Sequence, residues 1–492
     1  MRADDLFRKY RKSINPPYSR KDISSIAATI FILITIPLTV FLILNARGFF
    51  SRAAGILGLE AENATLSGPV SVGTDTNASG NGYIQFGSTG ITGTTYYVDC
   101  GATGSGNGSQ SSTWTLTQAN ASNLNSGDGI LFNRGCVFSS TSTQLTVKWT
   151  GVTLGSYGLG NAPEFKSTAT PASSSGRIIY ITGDNNILDG LVVTGPRTSD
   201  ASPDYASNGS QSSIELAGGA TGNTIRNSVI SGGWAGVYLQ ADANNNKVIN
   251  NQIINNKLLK TSGSDSGAFG VLIHGANNEI ANNYFSGNIA LSQDYPCCDG
   301  SSVEIYTSST ETPASNNVIH HNKSVDDDTF TELGTGASDH IPDHNVFMYN
   351  SYTVTTSGID NAIFLNTRGT GNYGPETNVI AYNNSVYITG SQKYAAFICS
   401  GTCAGTNLTF RNNVIISSGG AMSVGGSVQS NNLSSSSPFV SPPTDLTLVS
   451  GSPAINGGVN DANISSYTTD LAGHATPFGT ARDLGAYESS SP

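Results

Sequence analysis

The sequence predicts an all-β chain, wound as a parallel β-helix solenoid with a cap at each end and preceded by one transmembrane helix. Three observations predict it. A segment with one grammar recurs: an apolar-x-apolar strand, a polar stretch, Asn-x-apolar, then Asn again. It reads Ile214-Glu215-Leu216 with Asn223 to Asn227, Val237-Tyr238-Leu239 with Asn246 to Asn251, and Val271-Leu272-Ile273 with Asn278 to Asn283. Later copies start at Val303, Ile363 and Ala396. Such self-similarity marks a solenoid, in which each rung packs only on its neighbours. Secondly, the asparagines that start successive rungs, at 223, 246, 278, 317, 345, 378 and 407, are unevenly spaced. A β-helix tolerates this because its turns bulge outward while its strands stay in register. Thirdly, charged residues make up only 12% of the 492 residues. The apolar positions remain periodic, which disorder does not require.

The elements follow in order. Residues 1–22 form a basic tail with seven Lys and Arg against three Asp. The net charge is −11, so the remainder sums to about −15, and a body that acidic repels phosphate backbones and excludes nucleic acid as a partner. Residues 23–44 are almost wholly apolar, and at about 1.5 Å per residue they would span a bilayer core. The basic cluster before them places the N-terminus in the cytoplasm. The expected localisation is a single-pass membrane protein with the β-helix outside the cytoplasm. A cleaved secretory signal is the alternative, but its apolar core would be shorter and no Ala-x-Ala site follows.

Residues 45–95 are a linker and a strand pair. Glu60-Ala61-Glu62-Asn63-Ala64 and Gly82-Tyr83-Ile84-Gln85-Phe86 resemble the opening of β-sandwich carbohydrate-binding modules. There the paired acidic residues of the first strand support a structural calcium. The resemblance stops well short of a whole module, so the stretch reads as a strand pair at the entrance of the solenoid. Residues 96–437 are the coil and 438–492 a C-terminal cap, which covers an edge that would otherwise invite aggregation.

The coil opens with Tyr96-Tyr97-Val98-Asp99 and Ser126-Gly127-Asp128-Gly129-Ile130-Leu131-Phe132, and the tail carries Gly451-Ser452-Pro453-Ala454-Ile455 and Asp483-Leu484-Gly485-Ala486-Tyr487-Glu488. These segments are similar to the first and last segments of secreted right-handed parallel β-helix proteins of the pectate-lyase-like superfamily. The resemblance implies a right-handed coil and a polysaccharide partner. It supports an activity less well. Polygalacturonases of that superfamily carry a set of aspartates and a Gly-His-Gly, which this chain lacks. Its pectate lyases use an Arg or Lys base beside calcium-binding Asp. Here Arg368 and Lys323 lie just beyond strands and substitute weakly.

Six cysteines, at 100, 136, 297, 298, 399 and 403, suit disulfides outside the cell. The pairs expected are Cys100 with Cys136 and Cys399 with Cys403. The repeated asparagines, among them Asn227, Asn251, Asn283, Asn322, Asn350, Asn384 and Asn413, read as a structural amide ladder. Asn tolerates left-handed turns and bonds its equivalent one rung away.

In each apolar-x-apolar strand the flanking residues point inward, so the middle residue and the one after the triplet face out. Stacking the rungs gives an external ridge of Tyr180, Glu215, Tyr238 with Gln240, Leu272 with His274, Glu304 with Tyr306, Glu332, and Phe364 with Asn366. Aromatic rings cover the apolar face of a sugar, and carboxylates and amides bind its hydroxyls. Glu304 and Glu332 on neighbouring rungs suit the two-carboxylate chemistry of glycoside hydrolysis. For a lyase, Tyr306 or His274 is the candidate base. Tyr238, Gln240, Asn366 and Arg368 are the candidate substrate contacts. No motif demands a cofactor or names a metal ligand; calcium is the ion such carboxylates suit. The same residues also read as a plain solvated strand face. Asp326-Asp327-Asp328 reads as a solvated turn, and His320-His321 as a repeat position with one ring facing in.

Two functions from different classes follow. The first is a cell-surface β-helix that binds polysaccharide or cell-wall glycan and, if catalytic, cleaves it as a lyase or glycoside hydrolase. The alternative is a non-catalytic adhesin or surface-structural protein.

Overall fold

A computed structural model describes residues 70–74, 82–86 and 90–489, apart from 171–175, 197–210, 260–266, 292–298, 357–358, 360, 372, 391 and 435–437. The chain divides into two compact units, Met1–Gly87 and Ser88–Pro492. In the first, Val70–Thr74 pairs antiparallel with Gly82–Phe86.

The second unit is a coil of three parallel sheets, with twelve strands in the first and ten in each of the others. One turn runs Thr224–Arg226 in the first sheet, Val229–Ser231 in the second and Ala235–Leu239 in the third. Short strands form because β-branched and aromatic residues alternate with polar ones, and the alternation puts one set inside. Ile225, Ile230, Val237 and Leu239 of this turn are all buried. Equivalent residues stack between turns. Phe165, Val193, Ile230, Ile253 and Phe285 form one column through the second sheet.

The corners carry the asparagines. From residue 190 on, the corner between the first and second sheets is two residues long. A left-handed residue (Asn227, Asn250, Asn282, His321, Tyr349, Asn383, Asn412) is followed by a ladder residue. The ladder runs Ser228, Asn251, Asn283, Asn322, Asn350, Asn384, Asn413 and Asn432, each backbone N–H donating to the next Oδ1. Asn227 therefore lies one residue before the ladder, which Ser228 occupies. A second ladder at the corner between third and first sheets joins Asn186, Asn223, Asn246, Asn278, Asn317 and Asn345. It ends there, because Val379 follows in register and Asn378 is displaced to the left-handed position.

A short third ladder, Gly233 to Asn256 to Asn288, ends on a carboxylate. Asp327 accepts from the backbone and side chain of Asn288 and from Ser302 and Ser324. Asp327 and Asp328 are thus buried rather than part of a solvated turn. Burial pushes the Asp327 carboxyl up to about 6 against those four hydrogen bonds.

Asn283 shows what a ladder residue contributes. Its Oδ1 accepts from Asn251 N and Nδ2 at 2.9 and 3.1 Å, and its Nδ2 donates to Val248 O at 2.8 Å. Asn283→Ala strands these buried donors and acceptors and should cost about 2–4 kcal/mol. Urea unfolding of the variant measures the loss, and an unchanged midpoint would refute the ladder's structural role.

At the N-terminal end a one-turn helix, Leu116–Ala121, carries a Thr115–Gln118 capping box. At the other end Phe439–Ser441 pairs antiparallel with Asp445–Leu448. The tail then packs along the outside of the coil. Asn383 Nδ2 donates to the Asp483 carbonyl, Gly485 N to that of Asn412, and Ala486 N to Ser385 Oγ.

Three further expectations are corrected. Among the described residues no helix is long and apolar enough to cross a membrane. The single transmembrane helix before the coil, the single-pass localisation and the membrane as a partner are therefore not carried forward; residues 23–44 lie outside the described residues. Phe364 is not on the outer ridge. The strand bends as it leaves the corner, and Phe364 packs inside between Phe330 and Phe397, with ring centroids 4.8 and 5.1 Å away. Neither His320 nor His321 faces into the coil, for both lie beneath the tail, ringed by Tyr467 and Tyr349. Of the expected disulfides, Cys100–Cys136 and Cys399–Cys403 are both present. Cys297 and Cys298 lie outside the described residues.

Candidate functional site

From residue 190 on, rungs lengthen only at the two corners that border the third sheet. Residues 255–268 and 287–300 lead into it, and 308–317, 336–345 and 369–379 lead out, whereas the remaining corner keeps two residues over this stretch. The outer face of the third sheet therefore lies between two rows of loops. Its centre is the register line Tyr180, Glu215, Tyr238, Leu272, Glu304, Glu332, Asn366.

One half of this face is aromatic. Trp234 meets Phe269 and Tyr238 edge-on at 5.3 and 5.9 Å. Tyr238 meets His274 at 5.3 Å, and His274 meets Tyr306 at 5.6 Å. Tyr306 needs a glycine beside it: a Cβ at Gly334, its partner one rung on, would stand 3.0 Å from the ring. His274 is held by Glu311, Nδ1 to Oε2 at 2.8 Å. Gln240 Nε2 donates to Glu215 Oε1, which also pairs with Arg177, and Arg177 stacks on Tyr180 at 3.6 Å.

The other half is a carboxylate cluster around one guanidinium. Glu304 and Glu332 are direct register partners on adjacent strands, which puts their backbones about 4.8 Å apart. Arg368 forms an ion pair with Glu332 and also bonds the Leu333 carbonyl. Burial pushes the Glu304 carboxyl up to about 8, and the Asp299 charge adds to the shift. Arg368 and the Ser301 hydroxyl oppose it only in part. Glu376, from the loop that follows Arg368, is fully buried, and neither of its oxygens has a hydrogen-bond partner. Burial holds it well above the usual carboxylate range, with Arg368 the opposing charge. Two neighbouring carboxylates thus differ in kind: Glu304 keeps its proton at neutral pH, and Glu332 is ion-paired. Environments that separate two titratable groups in this way assign an acid and a base.

The structure brings together Glu304, Glu332, Tyr306 and Arg368, with His274 and Tyr238 further along the same face. Gln240 is committed to Glu215 and the Gly218 N–H. Asn366 is largely buried and accepts from Ser400 at 3.0 Å. Burial, with the charges of Tyr373, Glu311 and Glu304, raises the Tyr306 phenol above its ordinary value. Sequence reasoning missed Glu376, Glu311, Asp299, Trp234 and Arg177. The loop residues among them follow no period; the one signal was the length of the rungs that carry them.

Calcium fits this cluster poorly. Among the described residues, the group of three ligating side chains close enough to share an ion is Asp99, Cys100 and Cys136, and its cysteines form a disulfide. Around Glu304 and Glu332 a guanidinium already supplies the positive charge.

Residues 170–328 match the family model described as the right-handed β-helix region. No curated protein matches the chain in sequence. Among solved structures, a pectate lyase, Pel9A, superposes with a TM-score of 0.57 at 19% identity, covering 81% of this chain and 96% of that one. A rhamnogalacturonan lyase superposes with a TM-score of 0.53 at 16% identity, covering 76% of this chain and 96% of the other. The molecule has the pectate-lyase-like right-handed parallel β-helix fold. At these identities the likeness is one of fold, and function must come from the site.

Proposed function

We propose that the loop-bordered face of the third sheet is a polysaccharide-binding groove in which Glu304 and Glu332 hydrolyse a glycosidic bond. The observation that carries this reading is the adjacent pair of unlike carboxylates at the end of an aromatic row. Glu304, protonated at neutral pH, gives its proton to the leaving oxygen. Glu332, ion-paired with Arg368, attacks the anomeric carbon or activates water. Tyr238 and Tyr306 provide the apolar faces on which neighbouring sugar rings rest, with the buried His274 packed between them.

Hydrolysis is favoured over β-elimination by the state of the cations. Arg177 is paired with Glu215 and Arg368 with Glu332. A uronate carboxylate would have to displace an existing partner from each. A Tyr306 phenol shifted upward by burial is also a poor base. The substrate read from this face is therefore an uncharged glycan. Two disulfides fit an oxidising compartment, where extracellular polysaccharide is met.

The test is a panel of neutral and acidic polysaccharides, followed for new reducing ends and for the ultraviolet absorbance of unsaturated products. New reducing ends on a neutral glycan, without unsaturation, support the proposal. Unsaturated products would replace hydrolysis with elimination. Binding without cleavage would support the adhesin reading, and neither binding nor cleavage would remove the groove.

A further inference from the structure

Among the described residues other than glycine, the left-handed backbone conformation is taken by Asn, Asp and His, with two exceptions. These are Tyr349 and Tyr373, at φ 52° and 54°. Tyr349 has a structural reason to be there. It is buried beneath the tail, and Arg482 Nη1 donates to its hydroxyl at 2.6 Å. Tyr373 is the opposite case. It is 64% exposed, the most exposed aromatic among the described residues. A large side chain in this conformation carries a steric cost that Asn or Gly largely avoids. An exposed ring gains little from burial to offset that cost. Strained residues of this kind gather at ligand sites.

The position of Tyr373 agrees. It belongs to the loop 369–379 that borders the face of the third sheet. Its backbone is tied to the two strands that carry Glu332 and Arg368. Thr335 N donates to the Tyr373 carbonyl at 2.7 Å, and Glu376 N to that of Arg368 at 2.9 Å. Gly374 lies so near the Arg368–Gly369 backbone that a Cβ there would collide with the Gly369 carbonyl. The ring therefore projects from a fixed base. The Arg368 guanidinium lies 5.9 Å from the ring centroid, and the same guanidinium pairs with Glu332. Tyr306 approaches the same place. Its ring lies along the strand from Gly334 to Gly336, where Cβ atoms would stand 3.0 Å from Cδ2 and 3.1 Å from Oη. The Cβ of Gly334 would also stand 3.9 Å from the Tyr373 carbonyl. Both tyrosines thus meet at Gly334, two residues beyond Glu332 on the same face of the strand.

We propose that Tyr373 is a further substrate-binding residue of the groove, whose ring stacks on a sugar unit beside the bond that Glu304 and Glu332 cleave. This rests on the groove reading and adds to it a contact from the bordering loop. The apolar C–H face of a pyranose covers the part of the ring that water now meets. The left-handed backbone is the conformation that holds the ring there, so the same residue is costly to the fold and useful to the ligand.

Affinity electrophoresis of the full chain through gels containing β-glucan, xylan, mannan or galactan tests this, beside thermal unfolding. At least one of the four should retard the parent. On that polysaccharide Tyr373→Asn should bind about tenfold more weakly, as for the loss of one aromatic contact. The same variant should melt no lower than the parent, because asparagine suits the left-handed backbone. Tyr373→Phe should bind as the parent does. Equal retardation of Tyr373→Asn and the parent overturns the proposal and leaves the groove standing. A clear drop in melting temperature also overturns it, since the ring would then be holding the fold. Loss of binding in Tyr373→Phe would assign the contact to the hydroxyl and overturn the stacking. A parent retarded by none of the four removes the groove, and this contact with it.

Discussion

Glu304→Gln should lower glycan cleavage by about 100- to 10,000-fold, the usual contribution of a positioned proton donor, and at pH 8 it should raise the melting temperature. The two effects share a cause. The carboxyl is pushed up to about 8 by burial and by Asp299, so the folded protein favours the protonated form. An unfolded glutamic acid loses its proton near 4.5. The stability contributed by the neutral acid is therefore complete below about pH 4.5. It is lost as pH rises through the folded value and stays lost above it. Glutamine has nearly the same shape and never ionises, so the variant avoids that loss. With allowance for solvent screening in a partly open groove, the gain at pH 8 is of the order of 2 kcal/mol. At pH 4 the variant and parent should melt together. Thermal unfolding at the two pH values, beside a cleavage assay, makes the measurement. An activity loss with no pH-dependent stabilisation would mean that Glu304 is not held as a neutral acid. Stabilisation with full activity would mean that its burial is structural alone.

The fold was legible because a solenoid writes the same constraint many times. Inward residues recur every second position, and buried asparagines recur at each corner, so an error in one rung is outvoted by the others. Errors appear where a single rung stands alone. In Ile363-Phe364-Leu365 the outer residues are apolar, as the ridge requires, but the bend at the corner turns Phe364 inside. The true equivalent of Glu332 is Asn366. Asp327 reads as a solvated turn because a carboxylate flanked by carboxylates usually is one. Here it stops a ladder by offering acceptors to four donors. The ridge carboxylates Glu304 and Glu332 lie on strands and were visible in the pattern. Their electrostatic setting was not. Asp299, Glu311 and Glu376 reach the face from loops whose paths depend on packing against distant rungs.

Glu332→Ala should lose hydrolysis by a factor similar to that for Glu304→Gln, and azide should restore cleavage of the glycosidic bond. The expectation follows from adjacency. Strand neighbours in register stand about 4.8 Å apart, close to the roughly 5–5.5 Å carboxyl separation of retaining glycosidases and short of the 6.5–9.5 Å that leaves room for water in inverting ones. Glu332 is then the nucleophile rather than a base acting through water. Its removal leaves a methyl-lined gap beside Arg368, whose guanidinium has lost its carboxylate and attracts a small anion. Azide entering that gap attacks the anomeric carbon while Glu304 protonates the leaving group, and the product is a glycosyl azide of inverted configuration. Product analysis by NMR reads the configuration directly. A glycosyl azide of retained configuration, or none at any azide concentration while the variant remains folded, would remove Glu332 from the nucleophile's role. Rescue in Glu332→Ala but not in an Arg368→Met, Glu332→Ala double variant would identify the guanidinium as the group that draws the anion in. The same Arg368 would then hold Glu332 ionised in the parent, which gives the pair of unlike carboxylates its physical basis.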